Sequence, residues 1–148
     1  QEKRRTVNFK VGDKIGFGNS KEVLKEANYQ IGFLAFNQQD FETALKYFEK
    51  TTGYKGTNNL LSQSYYNLGQ QSAQGEQYEA ALDYYTKGYN TATEDKVKLN
   101  CQTGIALAQY KLAYVTEAWS TINAVYEADK NVKAAYDEYG YAYAMKVL

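Results

Sequence analysis

The feature that most restricts how this chain can fold is a repeat with a period of 37 residues. The segment FETALKYF matches YEAALDYY and then VTEAWSTI, each starting 37 residues after the one before it. A shorter upstream segment repeats with the same step, so each unit has two elements. Units of this length cannot bury an apolar face alone and become stable by stacking on one another. The repeated columns are Phe41, Tyr78 and Val115; Ala44, Ala81 and Ala118; Leu45, Leu82 and Trp119; Phe48, Tyr85 and Ile122; Ile31, Leu68 and Ile105; and Gly32, Gly69 and Ala106.

Both elements of each unit are predicted to be helices. In the downstream element the apolar residues fall at positions i, i+3, i+4 and i+7, which places them on one face of an α-helix, whereas a half-buried strand would need alternation. The fold class is therefore all-α, with antiparallel helix pairs in three repeats plus a terminal helix. That last helix carries Tyr136, Tyr139, Gly140 and Tyr143, which repeat the upstream pattern after a step of 34 residues. The seven predicted helices cover residues 20–37, 40–52, 58–74, 77–91, 95–111, 114–128 and 131–147.

Small and polar residues are predicted to shape the helix pairs and their turns. The chain has no proline, so its turns depend on Gly, Asn, Asp and Thr. Asp40 is expected to cap the helix that follows it through its side chain. Gly32 and Gly69 are expected to let paired helices approach closely, with Ala44 and Ala81 on the facing helices. The large aromatic side chains then fill the space around these small residues.

The composition argues against catalysis, metal binding and nucleic-acid binding. The chain has no histidine and one cysteine, which removes the usual imidazole base and the common zinc ligand sets. Basic and acidic side chains number 17 each, so no excess of charge attracts phosphate backbones or anionic lipid. No apolar run approaches the roughly 20 residues of a membrane-spanning helix. We expect no enzyme activity, no cofactor, no metal site, no nucleic-acid partner and no direct membrane insertion, and we interpret Cys101 as a small buried apolar group.

The repeated unit resembles the tetratricopeptide repeat. The family pattern of an aromatic residue, Leu-Gly, and then Gly-x-Tyr-x-x-Ala-x-x-x-Phe is matched best by the second unit, although Gly75 stands one position early. The third unit departs further, with Ala106 in place of the glycine and Val115 in place of the aromatic residue. No unit has the proline that commonly closes the family's repeat. The resemblance covers residues 20–148 and implies an α-solenoid that binds proteins. The matching residues are Tyr65, Leu68, Gly69, Gly75, Tyr78, Ala81 and Tyr85 in the second unit, and Ile31, Gly32, Phe41, Ala44 and Phe48 in the first.

A second likeness concerns the cellular compartment. The 37-residue spacing and the stretch YNLGQQSAQGEQYEAAL are similar to bacterial envelope repeat proteins of outer-membrane assembly and of the Tol-Pal system. This likeness implies the periplasm, while the cytoplasm and an organelle stay open. Because the first residue is Gln1 rather than Met, a targeting segment or further repeats could have stood before it.

The family resemblance also implies where a partner binds, because the first helices of successive units line the concave face of such a solenoid. The side chains predicted there are aromatic and amide-rich, which suits an extended or helical peptide held by stacking, apolar contact and backbone hydrogen bonds. The clamp with which some family members grip a carboxylate tail is matched only at Asn67, so a chaperone-tail adaptor is not expected. Neighbouring polar positions of this face include Glu26, Gln30, Gln63 and Asn100. The candidate partner-binding residues are Tyr29, Phe33, Phe36, Tyr66, Asn67, Gln70, Thr103, Tyr110 and Tyr141.

The sequence leaves three functions open. The first is a non-catalytic scaffold that binds a partner protein or peptide in this groove as part of a larger assembly. The second is a structural subunit permanently buried in a complex, which would self-associate when its neighbours are absent. The third is a module that binds glycan or peptidoglycan through its tyrosines. Each of the 16 tyrosines could instead be a packing residue in the helical stack.

The two ends of the chain carry separate expectations. Residues 1–19 fall outside the repeat and are predicted to form a flexible or extended lead, with residues 20–148 forming the repeat domain. Outside its packing positions the last helix offers Tyr141, Ala144, Met145 and Leu148, which is more apolar than the polar outer face typical of a terminal helix. We therefore expect a further repeat, a partner or self-association through the C-terminal helix to cover this surface.

Overall fold

The computed structural model describes residues 20–148, and this part of the chain contains seven α-helices, one 3₁₀ helix and no β-strand. The predicted all-α class is confirmed, and the predicted helices lie within three residues of the observed ones. Within the same range, no helix combines the length and the apolarity needed to cross a lipid bilayer. Residues 1–19, predicted to form a lead, lie outside the described residues. The helices are α1 (Ser20–Asn37), α2 (Phe41–Glu49), α3 (Thr57–Gln74), α4 (Tyr78–Thr91), α5 (Asp95–Lys111), α6 (Val115–Ala128) and α7 (Lys133–Val147), with the 3₁₀ helix at Lys130–Val132.

The 37-residue repeat reappears in the backbone of the turns that join α1 to α2, α3 to α4 and α5 to α6. In each turn one residue has a left-handed conformation, and the next residue donates its N–H to the carbonyl five positions earlier, as in a Schellman motif. Gly75 stands one position before the left-handed residue, so these turns form without glycine at the position where it is usual. Asp40 caps α2 as predicted, because its Oδ1 accepts a hydrogen bond from the N–H of Thr43 at 3.3 Å. The left-handed residues are Gln39, Glu76 and Ala113, with φ of 62°, 59° and 67°.

The chain divides after residue 57 into two compact units. In the first unit, α1 and α2 form an antiparallel hairpin, since Gly32 faces Phe48 while Phe36 packs edge-on against Phe41. Phe48 is fully buried. A Cβ atom on residue 32 would lie 2.7 Å from the Phe48 ring, closer than carbon atoms can approach. The close helix approach predicted for Gly32 is therefore confirmed.

In the second unit, α3, α4 and α5 meet around the fully buried ring of Tyr85. Gly69 on α3 and Gly104 on α5 both face this ring, and a Cβ atom would lie 2.7 Å from it at residue 69 and 2.5 Å from it at residue 104. Gly88 on α4 makes a similar approach to Sγ of Cys101, at 2.8 Å from an added Cβ. Cys101 is fully buried, and this burial raises the pKa of its thiol to about 11. The interpretation of Cys101 as a packing residue is therefore confirmed.

A second group of buried residues joins α5, α6 and α7. Trp119 on α6 lies over Gly140 on α7, where an added Cβ would stand 2.8 Å from the indole ring. Tyr126 and Tyr136 stack nearby, with ring centres 4.0 Å apart and planes inclined by 19°. Glycine thus permits close packing in this helix pair as well. The buried residues of the group are Ala106, Ala118, Ile122, Val125 and Tyr139.

The last two turns of α7 expose apolar side chains, as the sequence predicts. Tyr141 and Met145 are 70% and 56% exposed, respectively. They are four residues apart and so lie on one side of the helix. Val147 and Leu148 add further exposed apolar surface at its end.

Candidate functional site

A shallow groove between α3 and α5 is the candidate binding site of the second unit. Its volume is about 330 Å³, which is near the lower end of the range for ligand pockets and accommodates one or two side chains. Tyr66 and Asn67 come from the middle of α3, whereas Val97 and Asn100 come from the first turns of α5. The structure therefore brings together Tyr66 and Asn67 with Gln63 and Asn100, and all four were predicted on the partner-binding face. The groove is lined by Gln63, Tyr66, Asn67, Glu94, Lys96, Val97 and Asn100.

Tyr66 belongs to both the groove and the core. Its ring centre lies 5.8 Å from that of Tyr85, with the planes tilted by 47°. The same ring packs against two groups of buried residues, one around Tyr85 and one around Cys101. Partial burial raises the pKa of the Tyr66 hydroxyl above its ordinary value, so the group is a neutral hydrogen-bond donor near neutral pH. Tyr66 is therefore a fixed wall of the groove rather than a freely moving side chain.

Hydrogen bonds hold two of the predicted amide side chains in place. Asn67 donates from Nδ2 to the backbone carbonyl of Gln63 at 2.8 Å. Gln70 accepts at Oε1 from the hydroxyl of Tyr85 at 2.6 Å, so the buried ring of Tyr85 presents its polar end to α3. Side chains that are already ordered lose less conformational entropy when a ligand binds. Asn67 is thus pre-positioned in the groove, while Gln70 is ordered but does not line it.

The other predicted contact residues of this unit do not line the groove. Thr103 donates its hydroxyl to a carbonyl of its own helix at 2.8 Å. Tyr110 stacks on Tyr139 with ring centres 4.3 Å apart, and a hydrogen bond with Glu138 raises the pKa of its hydroxyl. Tyr141 is on the exposed side of α7. Tyr110 therefore contributes to packing between α5 and α7.

Three predicted contact residues belong to the first unit. Tyr29 and Phe33 are one helical turn apart on α1, and their rings are nearly parallel, with centres 6.1 Å apart and planes at 13°. Phe33 is 39% exposed. Phe36 packs instead against Phe41 and Phe48 inside the hairpin. Of these three side chains, Phe33 is therefore the exposed one, whereas Tyr29 and Phe36 are partly buried.

Beside Tyr29 lies a polar cluster centred on the carboxylate of Glu26. The carboxylate accepts hydrogen bonds from the hydroxyl of Tyr54 at 2.5 Å and from the amide of Gln30 at 2.6 Å. It also pairs with the ammonium group of Lys55 at 2.8 Å. The hydrogen bond from Gln30, followed by those from Lys55 and Tyr54, lowers the pKa of Glu26 to about 2. The cluster therefore contains a charged carboxylate over the whole physiological pH range.

Sequence reasoning did not find every residue of these two sites. Glu94, Lys96 and Val97 were not predicted, because they stand at the beginning of α5 and not at the mid-helix positions that family resemblance indicates. No property of Glu94 and Lys96 distinguishes them in the sequence from other charged surface residues. Tyr54 and Lys55 were also missed, since they lie in the connection between α2 and α3, outside the repeated columns.

Comparison with models of known protein families found no match, and comparison with curated proteins found none either. The resemblance to the tetratricopeptide repeat therefore stays a prediction from the repeated residue columns.

Proposed function

We propose that this chain is a non-catalytic scaffold of tetratricopeptide type and that the groove between α3 and α5 binds a segment of a partner protein. The observation that carries the proposal is the lining of the groove. Three amide side chains, one aromatic ring and one valine surround the same space, together with one acidic and one basic residue. This set of groups offers hydrogen bonding, apolar contact and charge within a single small site.

The amide side chains suit a peptide backbone. An asparagine side chain presents N–H donors beside a carbonyl acceptor, which are the groups that a peptide unit presents in return. Asn67 and Asn100 supply such side chains from two different helices. Tyr66 and Val97 provide apolar surface for one side chain of the bound segment. The proposed ligand is therefore a short peptide segment with one apolar residue between exposed backbone groups.

Two observations support the tetratricopeptide assignment. The turns that join α1 to α2, α3 to α4 and α5 to α6 share the same hydrogen bonds and the same left-handed residue every 37 positions. In the first two helix pairs a glycine lies against a large buried aromatic ring, as in the pairs Gly32 with Phe48 and Gly69 with Tyr85. Repeated helix pairs in which a glycine faces a large aromatic ring support the proposed assignment.

The glycan-binding alternative is less well supported than peptide binding. Sugar rings pack on free aromatic faces, but several tyrosines among the described residues stack on other rings instead. Tyr126 stacks on Tyr136, and Tyr110 stacks on Tyr139. A permanently buried structural subunit is the remaining alternative, and the peptide selection below separates it from a scaffold.

The groove proposal predicts that peptides selected from a random displayed library against the full chain bind through the amide side chains. Replacing Asn67 and Asn100 by alanine removes hydrogen bonds that contribute about 0.5 to 1.5 kcal/mol each. The Kd of the selected peptides should therefore rise by about 5- to 150-fold, measured by fluorescence anisotropy of labelled peptide. Circular dichroism of the variant should remain helical.

The matched control replaces two exposed asparagines of other helices, Asn90 on α4 and Asn123 on α6, by alanine. This control variant should bind the same peptides with an unchanged Kd. An equal loss of binding in both variants, or a library selection that enriches no peptide, would show that the groove is not a peptide site. If the chain is a structural subunit, the library selection should enrich no peptide.

The apolar side of α7 predicts self-association of the chain. Burying apolar side chains such as Tyr141 and Met145 contributes about 1.5 to 3 kcal/mol each. The full chain should therefore sediment as a dimer or larger species at tens of micromolar, and Met145→Glu with Leu148→Lys should sediment as a monomer. A control that places the same two charges on α4, Thr86→Glu with Asn90→Lys, should leave the association unchanged. A monomeric unmodified chain at this concentration would refute the prediction.

A further inference from the structure

The polar cluster of the first unit has the chemistry of a receptor for an organic ammonium ion. The ammonium of Lys55 is held at 2.8 Å by the carboxylate of Glu26. It also lies 5.1 Å from the ring centre of Tyr29 and 5.5 Å from that of Tyr54, within the range of cation–π attraction. We call the arrangement of Glu26, Tyr29 and Tyr54 around this ammonium the ammonium cage. It lies within residues 20–57 and is separate from the groove of the second unit.

Groups other than Lys55 hold the cage in shape. Glu26 accepts hydrogen bonds from Tyr54 at one oxygen and from Gln30 at the other. The ring of Tyr54 meets that of Tyr29 edge to face, with centres 6.0 Å apart. None of these three contacts involves the ammonium of Lys55. A site that is already organised before binding loses less free energy in ordering its own side chains.

Lys55 has the properties of an occupant that can be displaced. Its side chain is 47% exposed and that of Glu26 is 38% exposed, so solvent reaches the ion pair. Exposed ion pairs of this kind contribute little to stability. Lys55 also has a left-handed backbone with φ of 49°, which is costly for a residue with a side chain. Gly53, two residues earlier, has φ of 83°. The position of the Lys55 side chain in the cage therefore contributes little to the stability of the fold.

We propose that the ammonium cage binds a lysine side chain of a partner protein and that Lys55 occupies the cage until this lysine replaces it. Lysine is favoured because the cage already holds the ammonium of a lysine, that of Lys55, against its carboxylate and both rings. Phe33, stacked beside Tyr29, extends the aromatic surface along which the apolar stem of a lysine can lie.

The test removes the ammonium of Lys55 from the cage and adds a free lysine derivative as the ligand. Lys55→Gly deletes the ammonium, and glycine accepts the left-handed backbone of residue 55. In a titration of the full chain with N-acetyl-lysine N-methylamide, followed by NMR of the tyrosine rings, the signals of Tyr29 and Tyr54 should shift. The Kd for the variant should be at least about fivefold lower than for the unmodified chain, because the tethered Lys55 no longer competes. Lys55→Asn, which also tolerates the left-handed conformation, provides a second variant with the same expected result.

Controls identify the interaction that is responsible. Adding Glu26→Gln to Lys55→Gly should abolish the shift, and the neutral N-acetyl-norleucine N-methylamide should cause none. Lys87→Ala removes an exposed lysine that pairs with Asp83 on its own helix, and it should leave the Kd of the unmodified chain unchanged. The proposal is overturned if the two Lys55 variants bind no more tightly than the unmodified chain, or if the norleucine compound binds equally. It is also overturned if n-butylammonium binds while the lysine compound does not, since the ligand would then be a free amine.

Discussion

Replacing Gly69 by leucine is expected to destabilise the second unit by about 3 kcal/mol or more. A single Cβ atom at this position would stand 2.7 Å from the ring of Tyr85, and the same ring faces Gly104 on α5. Overpacking of a core commonly costs about 1 to 3 kcal/mol, and a ring enclosed by two helices has little room to move. Leucine gains about 1 kcal/mol in helix propensity over glycine, which does not offset this cost.

Urea unfolding measures this change directly. Trp119 is the only tryptophan of the chain and belongs to the second unit, so its fluorescence reports the unfolding of that unit. Gly75→Leu is the matched control, because a Cβ atom there meets only backbone atoms at 3.6 Å or more. The control should change the free energy of unfolding by less than about 0.5 kcal/mol. Equal midpoints for Gly69→Leu and the unmodified chain would remove the packing argument.

Tyr85→Ala is expected to cost about 3 to 5 kcal/mol, the range found when a large buried ring is truncated. The ring is fully buried and fills the space between α3, α4 and α5. Tyr85→Phe keeps the ring and loses only the hydrogen bond to Gln70, so it should cost about 0.5 to 1.5 kcal/mol. The difference between the two variants separates the contribution of the ring from that of the hydroxyl.

A double variant tests whether the two effects share one cause. Because the leucine at residue 69 clashes with the ring at residue 85, Gly69→Leu with Tyr85→Ala should be less destabilised than the sum of the single variants. The leucine would then occupy part of the space that the ring leaves. Strict additivity of the two single losses would show that residue 69 destabilises the unit by some route other than contact with Tyr85.

The candidate groove could be predicted from the sequence only in part. Tyr66 and Asn67 were identified, because the family resemblance places their positions of α3 on the partner-binding face. Thr103 and Tyr110 were assigned to the same face by the same reasoning, but they do not line the groove. The repeat defines which residues occupy equivalent positions, whereas the contacts of each side chain depend on neighbours that differ between repeats. Tyr110 illustrates this, since it stacks on Tyr139 of a helix that follows the others at a step of 34 and not 37 residues.

The sequence by itself determined the number of helices, their approximate ends and the small residues at their contacts. These features follow from periodicity and from local turn chemistry, which act over a few neighbouring residues or recur at a fixed spacing. Tertiary structure alone decided that Gly104 faces the ring of Tyr85, and that Tyr54 and Lys55 meet Glu26. Such contacts join residues far apart in the chain, and the sequence around each residue does not indicate which residue it contacts. The physical reason is that a helix pattern specifies which face is buried, while the packing of whole helices decides which atoms touch.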